Sequence, residues 1–371
     1  MPAGKNIRKI ACIFNYAPHY RNLIYNMMSK EFGCDFYFGA NLTNGQQLKK
    51  MNFKILPGFK KESRVFRLLH EWQCNVVIQA FKNYQIYILT GHPSLSNIVF
   101  MVFAKIFNKK VFLWTHGFKR LEEGKHPLVR FFFNSATGFF LYGNNGKEMM
   151  VKYGIPKERL FVINNSLDYD NQLKVRKKLT STVLYAEKFK NNDPVLIFTG
   201  RLQSEKKLHY IFKAMKELMP ELPLNLILVG DGLLRNQLSQ QVEQLRLVDR
   251  VWFFGACYDE EILGGLFYNA TLTVSPGNIG LTAIHSMMYG TPILSHSTFL
   301  HQGPEFEAIK QGETGLLFKE DDVTDLTSKI KDWITNFVDR ESIRQKCFRT
   351  VDDYYSPYYS LKVMKNAINT F

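Results

Sequence analysis

Short apolar runs alternate with longer segments of helical spacing along this whole chain, and that alternation permits few architectures. In the first half the runs fall at 9–16, 34–39, 86–91, 110–117, 138–143 and 159–164. In the second half they fall at 194–200, 224–230, 251–255, 270–276 and 291–296. Several, such as PVLIFTG and LNLILVG, are apolar on both faces, the pattern of strands buried in a parallel sheet. The segments between them, for example EKKLHYIFKAMKELM at 205–219, read as helices. Such alternation implies βαβ units, with helices on both faces of each sheet. A chain of 371 residues has room for two sheets. The expected fold is α/β: two Rossmann-like, doubly wound domains facing each other across a cleft. The seam is read in the polar, basic stretch 172–192. This gives a first domain at 1–170, a second at 171–350, and a helix at 351–371 that crosses back to the first. Ligands of such sheets bind beyond the carboxyl ends of the strands, so the cleft is the expected site.

Charge is spread unevenly. The formal net charge is +15. Residues 1–172 carry 24 Lys and Arg against 10 Asp and Glu, whereas 173–371 carry 24 against 23. A one-sided positive field suits an anionic partner: a membrane surface, nucleic acid or a phosphorylated substrate. A solubilising excess is the alternative. Nucleic acid is not expected, because the basic half has no recognition motif. No apolar run reaches the ~18–20 residues needed to span a bilayer. The opening MPAGKNIRKIACIFNY reads as the approach to a first strand, not a secretory signal. Five scattered cysteines without a CxxC fit a reducing cytoplasm better than a disulfide framework or a zinc site. Two segments suit a helix lying on anionic lipid: KKESRVFRLLHEW at 60–72 and HPLVRFFFN at 126–134. The apolar face of the second is better explained by packing on the sheet. The expected location is cytoplasmic, with peripheral attachment to the inner membrane face.

Three stretches of the second half can carry chemistry. In FTGRLQSEKK a strand ends at Gly200, Arg201 follows, and Lys206 and Lys207 precede a helix. A planar fork of donors and a mobile ammonium beside a helix start suit a diphosphate; a solvated basic turn is the equal alternative. In LILVGDGLL, Gly230 and Gly232 turn a strand into a helix and let backbone pass close to a ligand. In SPGNIGLTAIH, Gly277 and Gly280 allow close approach, Asn278 offers an amide, and Leu281 and Thr282 supply backbone N–H groups. His285 lies one turn further in, facing the pocket or packed as an ordinary histidine.

The ordered run GRLQSEKK, VGDGLLRNQL, VWFFG, ATLTVSPGNIGLTAIHSMMYGTPIL and GPEFEAIKQGETGLLF resembles the C-terminal half of a GT-B glycosyltransferase of the GT4 type, group 1. The likeness covers roughly residues 194–335 and is thinner in the first half, where WTHG at 114–117 and NNSLD at 164–168 carry it. The resemblance implies a retaining enzyme that moves a sugar from a nucleotide-diphosphate donor to a glycan or lipid-pyrophosphate-linked acceptor, in surface polysaccharide or lipopolysaccharide synthesis. It implies Arg201 and Lys206 as neutralisers of the leaving diphosphate and His116 as a histidine lining the sugar pocket. Gly200, Gly232, Gly277, Asn278, Gly280, Leu281, Thr282, His285 and Glu305 fall on the donor side. One departure is large. Relatives carry two glutamates around this turn, one toward the donor sugar and one toward the ribose; here Gly277 and His285 stand in those places. Asn278, Glu305 and Glu307 are the candidates to compensate.

On the acceptor side, NYAPHYRN replaces the glycine-rich loop of relatives, leaving His19, Tyr20 and Arg21 to meet an acceptor phosphate or to start a helix. His92, in GHPSLSN, contacts the acceptor or precedes a helix cap. Asp168-Tyr169-Asp170 spells a DxD, the metal motif of a different transferase fold, and is read here as a helix start. No cofactor and no metal are expected. Two other functions remain open: a silent relative that binds glycan or a partner enzyme, and a nucleotide-sugar epimerase of the same fold.

Overall fold

The computed structural model describes residues 9–40, 49–67 and 71–371. The chain divides into two compact units, Met1–Asp168 with Ser356–Phe371, and Tyr169–Tyr355. The sequence placed these boundaries at 170 and 350.

Among its described residues the first unit contains nine strands: β1 Ile10–Phe14, β2 Asp35–Gly39, β3 Phe59–Ser63, β4 Val65–Arg67, β5 Glu71–Gln73, β6 Ile86–Thr90, β7 Lys110–Thr115, β8 Gly138–Leu141 and β9 Leu160–Val162. Seven form a parallel sheet in the order β3-β2-β1-β6-β7-β8-β9. Alternate residues of each strand feed opposite faces. Ile10, Cys12 and Phe14 join one buried cluster, while Ala11 and Ile13 join the other. Phe112 and Trp114 likewise part from Val111 and Leu113. Helix Pro357–Thr370 closes the first face, setting Met364, Ala367 and Ile368 among the strand residues. Its Ser360 hydroxyl donates to the Ile163 carbonyl at 2.7 Å.

Segment 60–72 departs from expectation. Its described residues, 60–67 and 71–72, form no interfacial helix: β3 runs along the sheet edge, and β4 pairs with β5 in an antiparallel ladder that sets Phe66 opposite Trp72. An edge strand has one row of partners only, so its lysines remain in water, and FKKES shows none of the apolar pattern of a buried strand. Segment 126–134 is a helix, Pro127–Asn134, with Phe132 and Phe133 buried against the sheet.

The second unit contains β10 Val195–Thr199, β11 Asn225–Val229, β12 Val251–Gly255, β13 Leu272–Ser275, β14 Ile293–His296 and β15 Gly315–Phe318. All six are parallel, in the order β12-β11-β10-β13-β14-β15. The helix expected from 205 starts later, at His209, because Lys207 takes a left-handed φ of +52° and ends a short 3-10 turn. Asp168-Tyr169-Asp170 leads into helix Tyr169–Arg176. No helix among the described residues is long and apolar enough to cross a membrane.

Candidate functional site

Each sheet reverses its winding at one place, between β1 and β6 in the first unit and between β10 and β13 in the second. Such a switch point leaves a crevice at the carboxyl ends of the strands.

In the second unit the loops after β10, β11 and β13 meet there backbone against backbone. A Cβ on Gly230 would lie 1.9 Å from the Gly200 carbonyl oxygen, and one on Gly232 2.5 Å from the Leu202 carbonyl oxygen. A Cβ on Gly277 would lie 1.9 Å from the Glu205 carbonyl oxygen and 2.9 Å from the Lys206 Cα. These three glycines thus make room for neighbouring loops. That corrects the expectation for Gly232 and Gly277, which the sequence read as openings for a ligand. Gly280 differs: it holds φ at +53° and a Cβ there would meet only the Asn278 Oδ1, at 3.4 Å.

The turn 276–281 is clamped from three sides. The Lys206 ammonium donates to the Asn278 carbonyl. Asn278 Nδ2 donates to the His301 carbonyl at 3.0 Å, and the Ile279 N–H donates to Gln302 Oε1 at 3.0 Å. Gln302 is fully buried and anchors its own amide on Ser295 Oγ and the His296 carbonyl. Sequence reasoning missed Gln302; a glutamine after a short helical turn carries no local signal. Thr282 Oγ1 donates to the Thr199 carbonyl at 3.3 Å, tying the next helix to the end of β10. Among the described residues the Leu281 and Thr282 N–H groups have no backbone acceptor.

Burial lowers the pKa of Lys206, Glu205 opposes the shift, and the positive charge of Arg201 adds to it. Arg201 therefore lies in electrostatic reach of Lys206, on an exposed position. Lys207 goes elsewhere, to Glu320 at 3.1 Å and Asp321 at 2.5 Å. Glu305 is buried beside the turn: a Cβ on Gly303 would lie 2.7 Å from Glu305 Oε2 and 3.4 Å from the Gly280 Cα. Glu307 is partly buried on the same short 3-10 segment.

His285 is engaged. Its Nε2 stands 2.6 Å from Glu260 Oε1, which also accepts from Tyr289 OH at 2.6 Å and Gln172 Nε2 at 3.0 Å. Burial alone would raise the Glu260 carboxyl, but the hydrogen bond and charge of His285, with the bonds from Tyr289 and Gln172, hold it near 2. All three contacts use Oε1 of Glu260. A carboxylate is thus present beside His285, supplied by helix Glu260–Asn269.

In the first unit the switch point opens into a cavity of about 450 Å³. Phe14, Thr90, His92, Trp114, His116 and Tyr142 line it, from the ends of β1, β6, β7 and β8, together with Arg21. The Arg21 Nη2 donates to Tyr142 OH, and its guanidinium carbon lies 5.0 Å from the Trp114 ring and 5.3 Å from the Tyr142 ring. His116 packs its ring 4.6 Å from that of Tyr142. Water reaches the imidazole within the cavity, yet protein surrounds it. That desolvation, with the charges of Arg21 and Lys119, lowers its pKa to about 4, so it is neutral at pH 7. His92 Nε2 faces Glu71 at 3.3 Å, and its carbonyl accepts from Asn97 in the helix that Ser94 caps. The structure gathers Arg21, His92 and His116 around one space. His19 and Tyr20 do not line it; His19 Nδ1 lies 3.2 Å from the Lys49 carbonyl instead. A second cavity, lined by residues such as Asp193, Thr271 and Pro292, lies at the amino ends of the second sheet's strands, away from these groups.

Comparison with known proteins locates this geometry. Residues 185–348 match the family described as Glycosyl transferases group 1. An uncharacterised glycosyltransferase of Methanocaldococcus jannaschii is 22% identical over 61% of this chain; the match spans 57% of that relative's own length. Among solved structures, HepE of Anabaena in complex with UDP covers 98% of this chain and 100% of its own, at 17% identity and a TM-score of 0.71. The lipopolysaccharide outer core galactosyltransferase WaaB, in its apo form, covers 98% and 99%, at 18% identity and a TM-score of 0.72. At these identities the likeness is one of fold, the GT-B fold of two Rossmann-like units.

Proposed function

Because residues 185–348 belong to the glycosyl transferases group 1 family, we propose that the chain transfers a sugar, with retention, from a nucleotide-diphosphate donor held on its second unit to a glycan or lipid-linked acceptor held on its first. The observation that carries this reading is Lys206 bonded to a clamped, glycine-built turn with Arg201 in electrostatic reach. Two cations fixed before the reaction stabilise the charge that develops on a departing diphosphate. The acceptor hydroxyl attacks the anomeric carbon on the face the diphosphate leaves, and its proton passes to the leaving phosphate oxygen. No protein nucleophile and no metal take part. UDP in the HepE structure makes UDP-sugars the first donors to try. The name of WaaB favours a surface glycan as product.

The ribose is held by the Glu260–His285 pair rather than by a glutamate on the helix that carries His285. Glu260 Oε2 accepts from a ribose hydroxyl while His285, Tyr289 and Gln172 fix Oε1.

A membrane-facing surface is proposed on helix Leu95–Ile106 and its neighbours, in place of segment 60–72. Ile78, Phe81, Val102, Ile106 and Phe107 are exposed there, and the Phe81 ring lies 4.9 Å from that of Phe103. Exposed Lys82 and Lys105 flank them, and residues 72–121 contain no Asp or Glu at all. An apolar ridge with only positive flanks suits an anionic lipid surface. Flotation with phosphatidylglycerol vesicles should carry the protein, and Phe81→Ser with Ile106→Ser should abolish it; equal flotation of the double variant refutes this surface.

The test of the transferase reading is a thermal-shift series with nucleoside diphosphates and nucleotide sugars, followed by anomer-resolved NMR of the product. A ligand that binds the folded state raises the melting point. Stabilisation by a nucleotide diphosphate, and an axial donor giving an axial product, support the reading. No response to any nucleotide refutes it. Turnover of a nucleotide sugar without acceptor points to an epimerase.

A further inference from the structure

The Arg21 side chain is an anomaly for a structural arginine. Buried guanidinium groups are normally matched by carboxylates, because an uncompensated charge away from water is costly. Among the described residues no Asp or Glu forms an ion pair with Arg21. It donates to Tyr142 OH and interacts with Tyr25, both neutral groups. The Arg21 Nε and Trp114 Nε1 are sealed from solvent without a well-aligned acceptor, and the buried Tyr25 OH is the neutral oxygen that Arg21 reaches. Buried donors left unmade are rare in folded proteins. Here two of them sit together at the wall of a cavity of about 450 Å³, next to His116.

We propose that this cavity binds an oxyanionic group of the acceptor, a phosphate or a carboxylate, and that Arg21 is the residue that binds it. A guanidinium fork matches such oxygens in its own plane, while the ring faces of Trp114 and Tyr142 hold the fork at a fixed tilt. Neutral His116 completes the lining with a donor or acceptor that adds no charge. One carboxylate shares the cavity, Glu123, whose Oε2 accepts from the Lys119 N–H at 3.3 Å. That bond offsets part of its repulsion and leaves the Arg21 end as the positive pole. The proposal rests on the transferase reading only for the word acceptor; the anion site itself stands on the first unit alone.

The experiment uses the Arg201→Ala/Lys206→Ala protein, so that anions cannot report through the second unit. It is titrated by calorimetry with inorganic phosphate, glycerol 3-phosphate and malonate, and by flotation with phosphatidylglycerol vesicles. Arg21→Met, which keeps length and loses charge, should weaken the preferred anion at least tenfold. Arg21→Lys should recover part of the loss, since it restores charge without the fork. Glycerol 3-phosphate binding lost in Arg21→Met marks a phosphate, malonate binding lost there marks a carboxylate, and vesicle binding that falls with it marks a lipid headgroup as the source. Anion binding that is the same in Arg21→Met, or absent from the parent protein, overturns the proposal. Should Arg21→Met fail to fold, the ¹⁵N shifts of His116 in the unsubstituted protein decide: movement on adding phosphate or malonate supports the site, and none overturns it. Nucleotide stabilisation is measured separately on the unsubstituted protein, so failure there leaves the anion site standing, and the reverse holds too.

Discussion

The two switch points are built from opposite materials. In the second unit the crevice is walled by peptide backbone: Gly230, Gly232 and Gly277 let three loops touch, and Lys206 and Gln302 pin the last of them. In the first unit it is walled by side chains, with aromatic rings from three strand ends around one arginine. A backbone wall tolerates little change, and it suits a ligand part that never varies, such as a diphosphate. A side-chain wall can be rebuilt one residue at a time, and it suits the part that differs from one enzyme to the next. Under the proposed transferase reading, the contrast assigns the invariant chemistry to the second unit and the choice of acceptor to the first.

The sharpest way to break this contrast is Arg201→Ala with Lys206→Ala. Transfer should fall roughly 10³-fold or more, and nucleotide stabilisation should vanish. Full-speed transfer by that variant ends the account of the second unit. Next is Gly277→Glu, which would seem to restore the missing glutamate. Its Cβ has no room beside the Glu205 carbonyl, so the change should destabilise by about 1–3 kcal/mol and gain no activity. A stable, more active variant would show that the turn is not backbone-walled.

The Glu260–His285 pair comes third. Folding holds the Glu260 carboxyl near 2, below its ordinary value of 4.5, so folding favours the ionised form. Its contribution is complete above about pH 4.5 and is lost as pH falls through about 2. Glu260→Gln should cost on the order of 2–3 kcal/mol at neutral pH. That gap should narrow below pH 4.5 in denaturant titrations; a gap that is constant with pH refutes the pairing. His116→Gln tests the first unit more gently. Because His116 titrates near 4, the kcat/KM profile of the parent between pH 5.5 and 8 should show no inflection that this substitution removes, while activity falls about tenfold. The smallest effect belongs to Lys207→Ala. Lys207 pairs with Glu320 and Asp321 at the partly exposed surface, and a surface pair of this kind contributes roughly 0–1 kcal/mol. Nucleotide binding should be unchanged, in contrast to Lys206→Ala beside it.

The same contrast decides what could be read in advance. Backbone walls need glycines at fixed places after strands, so GRLQSEKK, VGDG and SPGNIG stood out, and with them the strands and the group 1 resemblance. Even there the use of Gly232 and Gly277 was misread, because a glycine's sequence does not say which neighbour fills its empty side. Side-chain walls leave a fainter trace: Arg21, His92 and His116 stood out one by one, but Trp114 and Tyr142 did not. These residues lie in separate segments and meet only when β1, β6, β7 and β8 line up in that order. Glu260 and Gln302 were invisible for the same reason: their partners, His285 and Ile279, are more than twenty residues away. The edge strand β3 was lost because pairing with β2 decides its structure, against a local pattern that reads as an amphipathic helix.

Helix Pro357–Thr370 places a stretch that follows the whole second unit inside the core of the unit that is synthesised first. On the ribosome, therefore, the earlier unit has every strand but not its closing helix while the later unit emerges and folds. It waits, with Met364, Ala367 and Ile368 missing from its face, until elongation passes residue 368. Translation order and maturation order are inverted, and removal of residues 357–370 should leave the earlier unit without one wall of its core.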